Sequence, residues 1–283
     1  MLGHIMWRRL SAIFPETFAT VRHNVSTYKK YGIFKNDNII DGVDVMDTNA
    51  LSGLIKGLRP AFILNCIGIT KRYVTDENVA DCISLNAQLP HRLAQYGKPL
   101  GIKVFNFSTD CVFDGLQGNY KDGSSTNATD IYGKTKALGE IRYNNTLTLR
   151  SSFIGRELDK GSELLEWFLS QKGESVPGFR NAIYSGITTL EMSRVVIDII
   201  KNYPDLHGLY NVSGHRISKY DLLDKVRRTF DVDIDIEVDD VFICDRSLDS
   251  SEFRSITSYE PPGWDAMLKE LAEDSALYGR FQL

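Results

Sequence analysis

Apolar and polar positions along the first half of the chain follow two periods, one typical of helices and one typical of strands. Apolar runs of strand length alternate with stretches of helical spacing, which indicates βαβ units and a parallel sheet. The predicted strands are 17–21, 42–45, 61–66, 103–108 and 147–149, the predicted helices are 2–14, 48–58, 76–96 and 131–142, and the polar stretch 23–42 is predicted as loop. The fold class is therefore α/β, with a Rossmann-type doubly wound parallel sheet.

The alternation of strand and helix patterns becomes less regular after Arg150, where the predicted elements are shorter. Helices are predicted at 162–171, 189–202, 218–228 and 264–273, a strand at 209–212, and a half-buried strand with an acidic face within 231–240. We expect a nucleotide-binding domain and a smaller C-terminal substrate-binding domain that packs closely against it. The first is expected to comprise 1–150 and about 183–205, and the second 151–182 and 206–283.

The predicted order of elements begins with a helix, whereas nucleotide-binding folds of this class begin with a strand and a glycine-rich turn. Gly3 fits the third glycine of such a turn, which lets helix and strand approach closely. We therefore expect the first strand and two glycines to be encoded upstream of Met1. Because backbone N–H groups of that turn cradle a pyrophosphate, we expect the chain as written to bind a dinucleotide poorly and to have doubtful activity.

Composition narrows the class of protein. The chain has 283 residues and a formal net charge of −4, which argues against nucleic acid as a partner. Four dispersed cysteines indicate reduced thiols, no histidine or cysteine has metal-ligand spacing, and no apolar run is long enough to cross a membrane. We expect a cytoplasmic protein without a metal site.

Candidate chemistry is concentrated in residues 106–140, which read NFSTDCVFDG and, after a loop, YGKTKALGE. Tyr132 and Lys136 stand four positions apart on a predicted helix, so the phenol and the ammonium share one face. A cation beside a phenol favours the phenolate and brings its pKa toward the range of proton transfer. Ser108 and Thr109 end a predicted strand, from which one hydroxyl can donate a hydrogen bond to a substrate carbonyl.

The Tyr-xxx-Lys spacing is weak evidence by itself, because about one match is expected by chance in a chain of this composition. Tyr31 and Lys35 have the same spacing but lie in a polar loop with no strand-end hydroxyl before them. We interpret that pair as solvated surface residues. The context of Tyr132 and Lys136 distinguishes the two pairs.

The paired motifs STDxVFDG and YGxxKxxGE resemble the extended short-chain dehydrogenase/reductase superfamily, and nearly the whole chain is similar to its dTDP-4-dehydrorhamnose reductase branch. The resemblance implies a catalytic triad of Thr109, Tyr132 and Lys136. Tyr132 would protonate a ketone oxygen as hydride arrives from a nicotinamide. Thr109 would polarise the carbonyl, and Lys136 would lower the pKa of the phenol and bind the nicotinamide ribose.

The same resemblance implies a nicotinamide cofactor. The cofactor-binding residues it suggests are Gly3, Asn65, Gly68, Asn86, Ser108, Tyr132 and Lys136. The strand predicted at 17–21 would be the second strand of a complete nucleotide-binding fold. Its end reads Thr20-Val21-Arg22-His23-Asn24, without the carboxylate that would bind the ribose 2′-hydroxyl of NAD. Arg22 can meet a 2′-phosphate instead, or it can be a solvated surface residue. We expect NADPH, with NADH as the alternative.

Substrate contacts are predicted for residues near the junction of the two domains. The candidates are Arg150, Phe153, Asn181, Tyr184 and Arg246, and for Phe153 packing in the core is an equal alternative. The resemblance implies reduction of the 4-keto group of a nucleotide-activated deoxysugar, in the synthesis of surface polysaccharide precursors. It leaves open an epimerase or dehydratase, a non-catalytic NADP-binding regulatory subunit, and assembly as a homodimer.

Overall fold

The computed structural model describes residues 1–34, 38–158 and 161–278. Lys35, the predicted surface partner of Tyr31, lies outside these ranges, as do residues 159–160 and 279–283 of the predicted substrate-binding domain. Within the described ranges, no helix has both the length and the apolar character needed to cross a lipid bilayer.

Helices and strands alternate through the first half of the described chain and shorten in the second. The helices are α1 (Leu2–Ser11), α2 (Thr48–Leu58), α3 (Val79–Cys82), α4 (Leu89–Gly97), α5 (Ile131–Leu138), α6 (Leu164–Leu169), α7 (Thr189–Asn202), α8 (Lys219–Thr229), α9 (Ser251–Thr257) and α10 (Trp264–Ser275). The strands are β1 (Ala19–Thr20), β2 (Ile39–Ile40), β3 (Phe62–Asn65), β4 (Lys103–Ser108), β5 (Thr146–Arg150), β6 (Phe153–Ile154), β7 (Ser175–Phe179), β8 (Ala182–Tyr184), β9 (Ile187–Thr188), β10 (Gly208–Asn211), β11 (Ile217–Ser218), β12 (Asp235–Asp239) and β13 (Cys244–Asp245). A π-helical stretch, Ile83–Gln88, joins α3 to α4, and 3₁₀ helices span Val25–Tyr31, Lys71–Tyr73, Asp76–Asn78, Lys98–Leu100, Asp110–Val112 and Ala276–Tyr278.

A four-stranded parallel sheet, in the order β10–β5–β4–β3, forms the centre of the fold. Its register pairs Asn65 with Asn106 and Ser108 with Arg150, so the carboxyl ends of β3, β4 and β5 meet at one edge. β1 and β2 pair in parallel as a separate two-stranded sheet. The predicted α/β class with parallel strands is confirmed.

The second strand lies elsewhere than predicted. β2 forms at Ile39–Ile40, inside the stretch predicted as loop, and the strand predicted at 42–45 is absent from the described structure. Gly42 has a φ of 68°, in the left-handed region, which ends the extended backbone after β2. The Asp44 carboxylate then accepts a hydrogen bond from the Met46 amide at 2.9 Å, which is a turn rather than a strand.

The central strand β4 separates two hydrophobic clusters, because successive side chains of a strand point to opposite faces. Val104 packs with the apolar faces of α2 and α4. Phe105 and Phe107 point the other way, into a larger cluster that includes α1 and α7. That cluster continues through Leu222 of α8 and Leu268 of α10, so the two parts of the chain share one core.

The central sheet includes one strand from the part of the chain after residue 206. β10 pairs with β5 over its full length and forms an edge of the central sheet. The C-terminal strands outside that sheet form three small sheets, β11–β8–β13, β12–β7 and β6–β9. The acidic strand predicted within 231–240 is confirmed as β12.

Two predicted helices are shorter than expected, and the chain segments where they end lie against each other. The helix predicted over 76–96 is interrupted by the π-helical stretch, which contains Asn86, and the helix predicted over 131–142 ends at Leu138. A Cβ atom at Gly139 would lie 2.0 Å from the Asn86 carbonyl oxygen. Only glycine permits this approach of α5 to the π-helical stretch, and π-helical stretches are frequent at functional sites.

We expect Gly139→Ala to destabilise the protein by about 2–3 kcal/mol, because the added methyl group overlaps a backbone oxygen, which cannot move aside by a side-chain rotation. The φ of Gly139 is −85°, so the loss would be steric rather than conformational. The matched control is Gly53→Ala in α2, where a Cβ meets nothing within 4 Å. This control should gain about 0.5–1 kcal/mol of helix stability. Urea unfolding measures both changes, and equal effects of the two substitutions would contradict the interpretation.

Candidate active site

Three predicted catalytic residues lie at the carboxyl edge of the central sheet. Thr109 directly follows β4, and α5 carries Tyr132 and Lys136 past it. Asp130 caps α5 by accepting a hydrogen bond from the Gly133 amide at 2.9 Å. A Cβ at Gly133 would lie 2.3 Å from the carbonyl oxygen of Cys111, so this glycine lets α5 rest on the turn after Thr109.

The Tyr132 phenol is held in its protonated form. Burial raises its pKa, and the charges of Cys111 and Asp110 act in the same direction. The nearby Thr109 hydroxyl acts in the opposite direction and lowers the pKa. The expected lowering of this pKa by a cation is therefore outweighed in the ligand-free chain, because burial disfavours the phenolate.

Lys136 has two donors available to a ligand. Its ammonium donates one hydrogen bond, at 2.6 Å, to the carbonyl oxygen of Phe107 on β4, and that is its one hydrogen bond within the described residues. An ammonium has three N–H donors, so two remain. Burial lowers the pKa of Lys136 to about 8, and the carboxylate of Glu140 opposes that shift.

The two adjacent hydroxyls have different surroundings. The Ser108 hydroxyl donates a hydrogen bond to Glu140 at 2.6 Å and is 2% exposed. The Thr109 hydroxyl accepts a hydrogen bond from the Cys111 amide at 3.1 Å and faces the Tyr132 phenol. The Thr109 hydroxyl donates its own proton to the Asp110 carboxylate at 3.2 Å. Of the two hydroxyls, Thr109 is thus the one that lies next to the Tyr132 phenol, and Ser108 binds Glu140.

Asn86 holds the backbone after β3 in place. Its side-chain oxygen accepts a hydrogen bond from the Ile69 amide at 2.8 Å, and its nitrogen donates to the Ile69 carbonyl at 2.9 Å. A Cβ at Gly68 would lie 2.9 Å from that same Asn86 oxygen. Asn65 donates to Asn106 at 3.0 Å, and so ties β3 to β4 at the level of the site. These residues shape the wall beside Tyr132 and Lys136 through the backbone.

Arg150 was predicted to contact substrate, but the structure assigns it a supporting role. Its guanidinium is 0% exposed and forms a bidentate ion pair with Glu140, with contacts of 2.8 and 2.6 Å. It also donates to Asn211 of β10 at 3.0 Å and lies over the Phe113 ring, 4.9 Å from its centroid. A side chain without exposed surface cannot reach a substrate in this conformation.

The other predicted substrate residues are divided among three environments. Phe153 is partly buried and packs edge-on against Phe107, which fits its alternative role in the core. Asn181 is exposed beyond β7 and donates to the carbonyl of Asp240 at 2.8 Å. Tyr184 is 4% exposed in β8.

Arg246 lies beside the loop that follows β4. It donates to the carbonyl oxygens of Phe113 at 2.8 Å and Asp114 at 3.3 Å, and Asp110 and Cys111, which follow Thr109, act electrostatically on it. Of the five substrate candidates, Arg246 and Tyr184 are therefore the two near the turn that carries Thr109.

The two remaining cofactor candidates lie away from the triad. Gly3 is the second residue of α1 and lies against Cys66, whose Cβ would be 3.4 Å from a Cβ at Gly3. Arg22 follows β1, is 70% exposed at its side chain and contacts Asp44 at 3.3 Å. The guanidinium is therefore accessible, as a phosphate-binding role would require.

Comparison with known proteins identifies the family. A profile of the RmlD substrate binding domain matches residues 17–235, which is most of the chain. The chain belongs to the RmlD substrate-binding domain family. The resemblance to the dTDP-4-dehydrorhamnose reductase branch of the short-chain dehydrogenase/reductases is thereby confirmed.

Two curated relatives illustrate the range of this family. Methionine adenosyltransferase 2 subunit beta of Xenopus tropicalis is 24% identical over 194 residues, which are 64% of this chain and 58% of that protein. dTDP-4-dehydrorhamnose reductase of Streptomyces griseus is 31% identical over 99 residues, which are 35% of this chain and 33% of that protein. The chain thus matches between a third and three fifths of the length of these relatives.

Solved structures share the fold over most of the chain. A hypothetical dTDP-4-dehydrorhamnose reductase from Sulfolobus tokodaii superposes with a TM-score of 0.72 at 23% identity, covering 93% of this chain and 95% of that one. dTDP-4-dehydrorhamnose reductase from Bacillus anthracis, solved in complex with NADP, gives a TM-score of 0.73 at 17% identity, covering 91% and 100%. At these identities the likeness defines the fold of this RmlD-family chain.

Sequence reasoning missed two charged residues of the site. Glu140 ends the YGKTKALGE motif and pairs with Arg150, but a single sequence does not reveal which buried cation an acidic residue meets. Lys219 begins α8, far along the chain, yet lies near Asp110 and Cys111. The only signal in the sequence was its position directly after the predicted helix cap Ser218.

We expect Glu140→Gln to destabilise this RmlD-family protein by about 3 kcal/mol or more, because it leaves the buried Arg150 guanidinium without a countercharge. The double variant Glu140→Leu/Arg150→Met should recover most of that loss, since it removes both charges together. An exposed pair provides the control: Asp265→Asn breaks the contact with Lys225 and should change stability by less than ~1 kcal/mol. Denaturant unfolding of the three variants measures the difference, and a single variant as stable as the wild type would refute it.

Proposed function

We propose that this protein is an NADPH-dependent reductase of a keto group on a nucleotide-activated sugar. The observation that carries the proposal is the convergence of Thr109, at the end of β4, with Tyr132 and Lys136, one turn apart on α5, where the Lys136 ammonium binds the Phe107 carbonyl of β4 at 2.6 Å. The reductases among its relatives support the substrate class. More narrowly, we propose the 4-keto group of a dTDP-linked deoxysugar, in the formation of surface polysaccharide precursors.

The protonated phenol suits the reducing direction. A ketone that accepts hydride develops negative charge on its oxygen, and an acid within hydrogen-bonding reach stabilises that charge by giving up a proton. Tyr132 is such an acid, because burial raises the pKa of its phenol. The Thr109 hydroxyl lies beside the phenol and donates to the Asp110 carboxylate at 3.2 Å, and it would turn that proton toward the ketone oxygen to hold it before the proton of Tyr132 moves.

The residues beside Tyr132 fit a nicotinamide ribose. The two unused donors of Lys136 suit ribose hydroxyls, and the backbone fixed by Asn86 leaves a wall without a side chain at Gly68. A bound NADPH would supply the hydride. When the phenol loses its proton, the nearby Lys136 ammonium stabilises the resulting phenolate.

Arg22 supports the choice of NADPH over NADH. Its guanidinium is accessible, and the Asp44 carboxylate beside it is part of a turn that also binds the Met46 amide. An arginine at the position of Arg22, just after β1, can pair with a 2′-phosphate, whereas an acidic residue there would select the 2′-hydroxyl. We therefore assign Arg22 to the 2′-phosphate.

The decisive test is turnover with NADPH and dTDP-4-keto-6-deoxysugar, followed by the absorbance of the reduced nicotinamide. The wild type should consume NADPH, and Tyr132→Phe should lose at least about a hundredfold in kcat, because general acid catalysis is worth that much. Tyr143→Phe, a substitution in an exposed tyrosine on the segment after α5, is the matched control and should keep full activity. Sugar conversion without net NADPH consumption would identify an epimerase or dehydratase instead.

The pH profile tests the role of Lys136 separately. The ammonium is charged below its pKa of about 8 and loses its proton as the pH rises through that value. We expect kcat/KM for NADPH, which reports the free enzyme, to be level near pH 6–7 and to fall about tenfold per pH unit above ~8. A profile that stays level to pH 10 would contradict this assignment. The Tyr132 phenol cannot cause the fall at pH 8, because its pKa is raised.

A second candidate is a regulatory subunit that binds NADP without turnover. It is favoured by the similarity to methionine adenosyltransferase 2 subunit beta over 64% of the chain. The two functions separate in the same assay: a regulatory subunit would bind NADPH and leave the sugar unchanged, with Tyr132→Phe indistinguishable from the wild type.

A further inference from the structure

Lys219 lies across the site from the proposed catalytic residues. It is the first residue of α8, in the C-terminal part of the chain, and its side chain is half-buried. Its ammonium lies over the Tyr184 ring, 4.5 Å from the centroid. Asp110 and Cys111 act electrostatically on Lys219 and also on the Tyr132 phenol, so both side chains lie near the turn that follows Thr109.

The ammonium of Lys219 has no hydrogen-bond or ion-pair partner among residues 1–34, 38–158 and 161–278. Its one recorded contact is the face of the Tyr184 ring, and burial lowers its pKa. Asp110 is the carboxylate whose charge acts most on it, yet no oxygen of Asp110 comes within ion-pair distance. Lys219 is therefore a cation placed in a site and left without a counterion by the chain.

Neighbouring cations in this region differ from Lys219 in having partners. Lys71 contacts Asp130 at 2.8 Å, and Arg216 contacts Asp245 at 2.5 Å. Arg246 donates to two backbone carbonyls. Within the described ranges, the Lys219 ammonium thus differs from these three cations in having no hydrogen-bond or ion-pair partner.

The location makes this free cation costly. A half-buried charge without a partner loses part of its hydration, and a cation in the first turn of a helix is repelled by the positive end of the helix dipole. Asp221 offsets part of that repulsion, but its carboxylate is used by the Ser218 hydroxyl, at 2.6 Å, in the helix cap. A ligand with negatively charged oxygens would remove both penalties at once.

We propose that Lys219 binds the diphosphate of the nucleotide-activated substrate and is the residue that selects a diphosphate-linked sugar over the free sugar. This inference rests on the proposed function, because it identifies the side of that site which the substrate enters. Tyr184 then acts as a positioning residue: the face of its ring contacts one side of the ammonium and leaves the N–H donors on the other side for the ligand.

Calorimetry with a panel of dTDP, UDP, GDP and CDP tests the inference without requiring turnover. The wild type should bind at least one of these diphosphates, and Lys219→Met should weaken that binding about tenfold or more, as expected for a charge-assisted contact. Lys219→Arg should retain most of the affinity. Binding of the corresponding nucleoside and of NADPH should be unchanged. Lys225→Met, on the same helix and paired with Asp265 at the surface, is the matched control.

Thermal unfolding separates this role from a structural one. Lys219→Met should leave the Tm unchanged or raise it, because it removes an uncompensated charge; a lowered Tm together with unchanged diphosphate affinity would overturn the inference. It would also be overturned if no nucleoside diphosphate bound the wild type, or if NADPH affinity fell in place of diphosphate affinity. Lys219-dependent diphosphate binding without turnover would overturn the proposed function alone. Turnover with a KM unchanged in Lys219→Met would overturn the inference alone.

Discussion

The buried ion pair between Arg150 and Glu140 is the constraint on which the geometry of the site depends. Arg150 ends β5 and Glu140 follows α5, so their bidentate contact fixes the helix that carries Tyr132 and Lys136 to the central sheet. The same guanidinium reaches Asn211 of β10. Because both charges are almost fully buried, neither can be lost alone without a large penalty, and the helix has one allowed position.

Burial of the site also determines which groups carry protons. The environment that stabilises an ion pair in Arg150 and Glu140 disfavours isolated charges, so the pKa of Tyr132 rises and that of Lys136 falls to about 8. The two shifts leave an uncharged acid beside a cation that is easily neutralised. A reductase needs this state before hydride transfer, since the phenol must still hold the proton that the ketone oxygen will take.

Much of the fold could be predicted because its strands are marked by composition. The apolar run of β4 and the amphipathic spacing of α7 were located from the sequence alone, and the motif around Tyr132 identified the family. The strand at Ile39–Ile40 and the assignment of β10 to the central sheet were not predicted. Two-residue strands have no detectable period, and a strand's membership of a sheet depends on contacts distant in sequence.

Arg150 and Lys219 show why a single sequence did not suffice for the substrate side of the site. Both are basic residues at the end of an element, yet one is neutralised by a carboxylate ten positions away and the other meets only an aromatic ring. Three-dimensional pairing alone separates a cation that stabilises the fold from one that is available to a ligand. An unpaired cation lowers the stability of the fold, and an anion that binds Lys219 would remove that penalty.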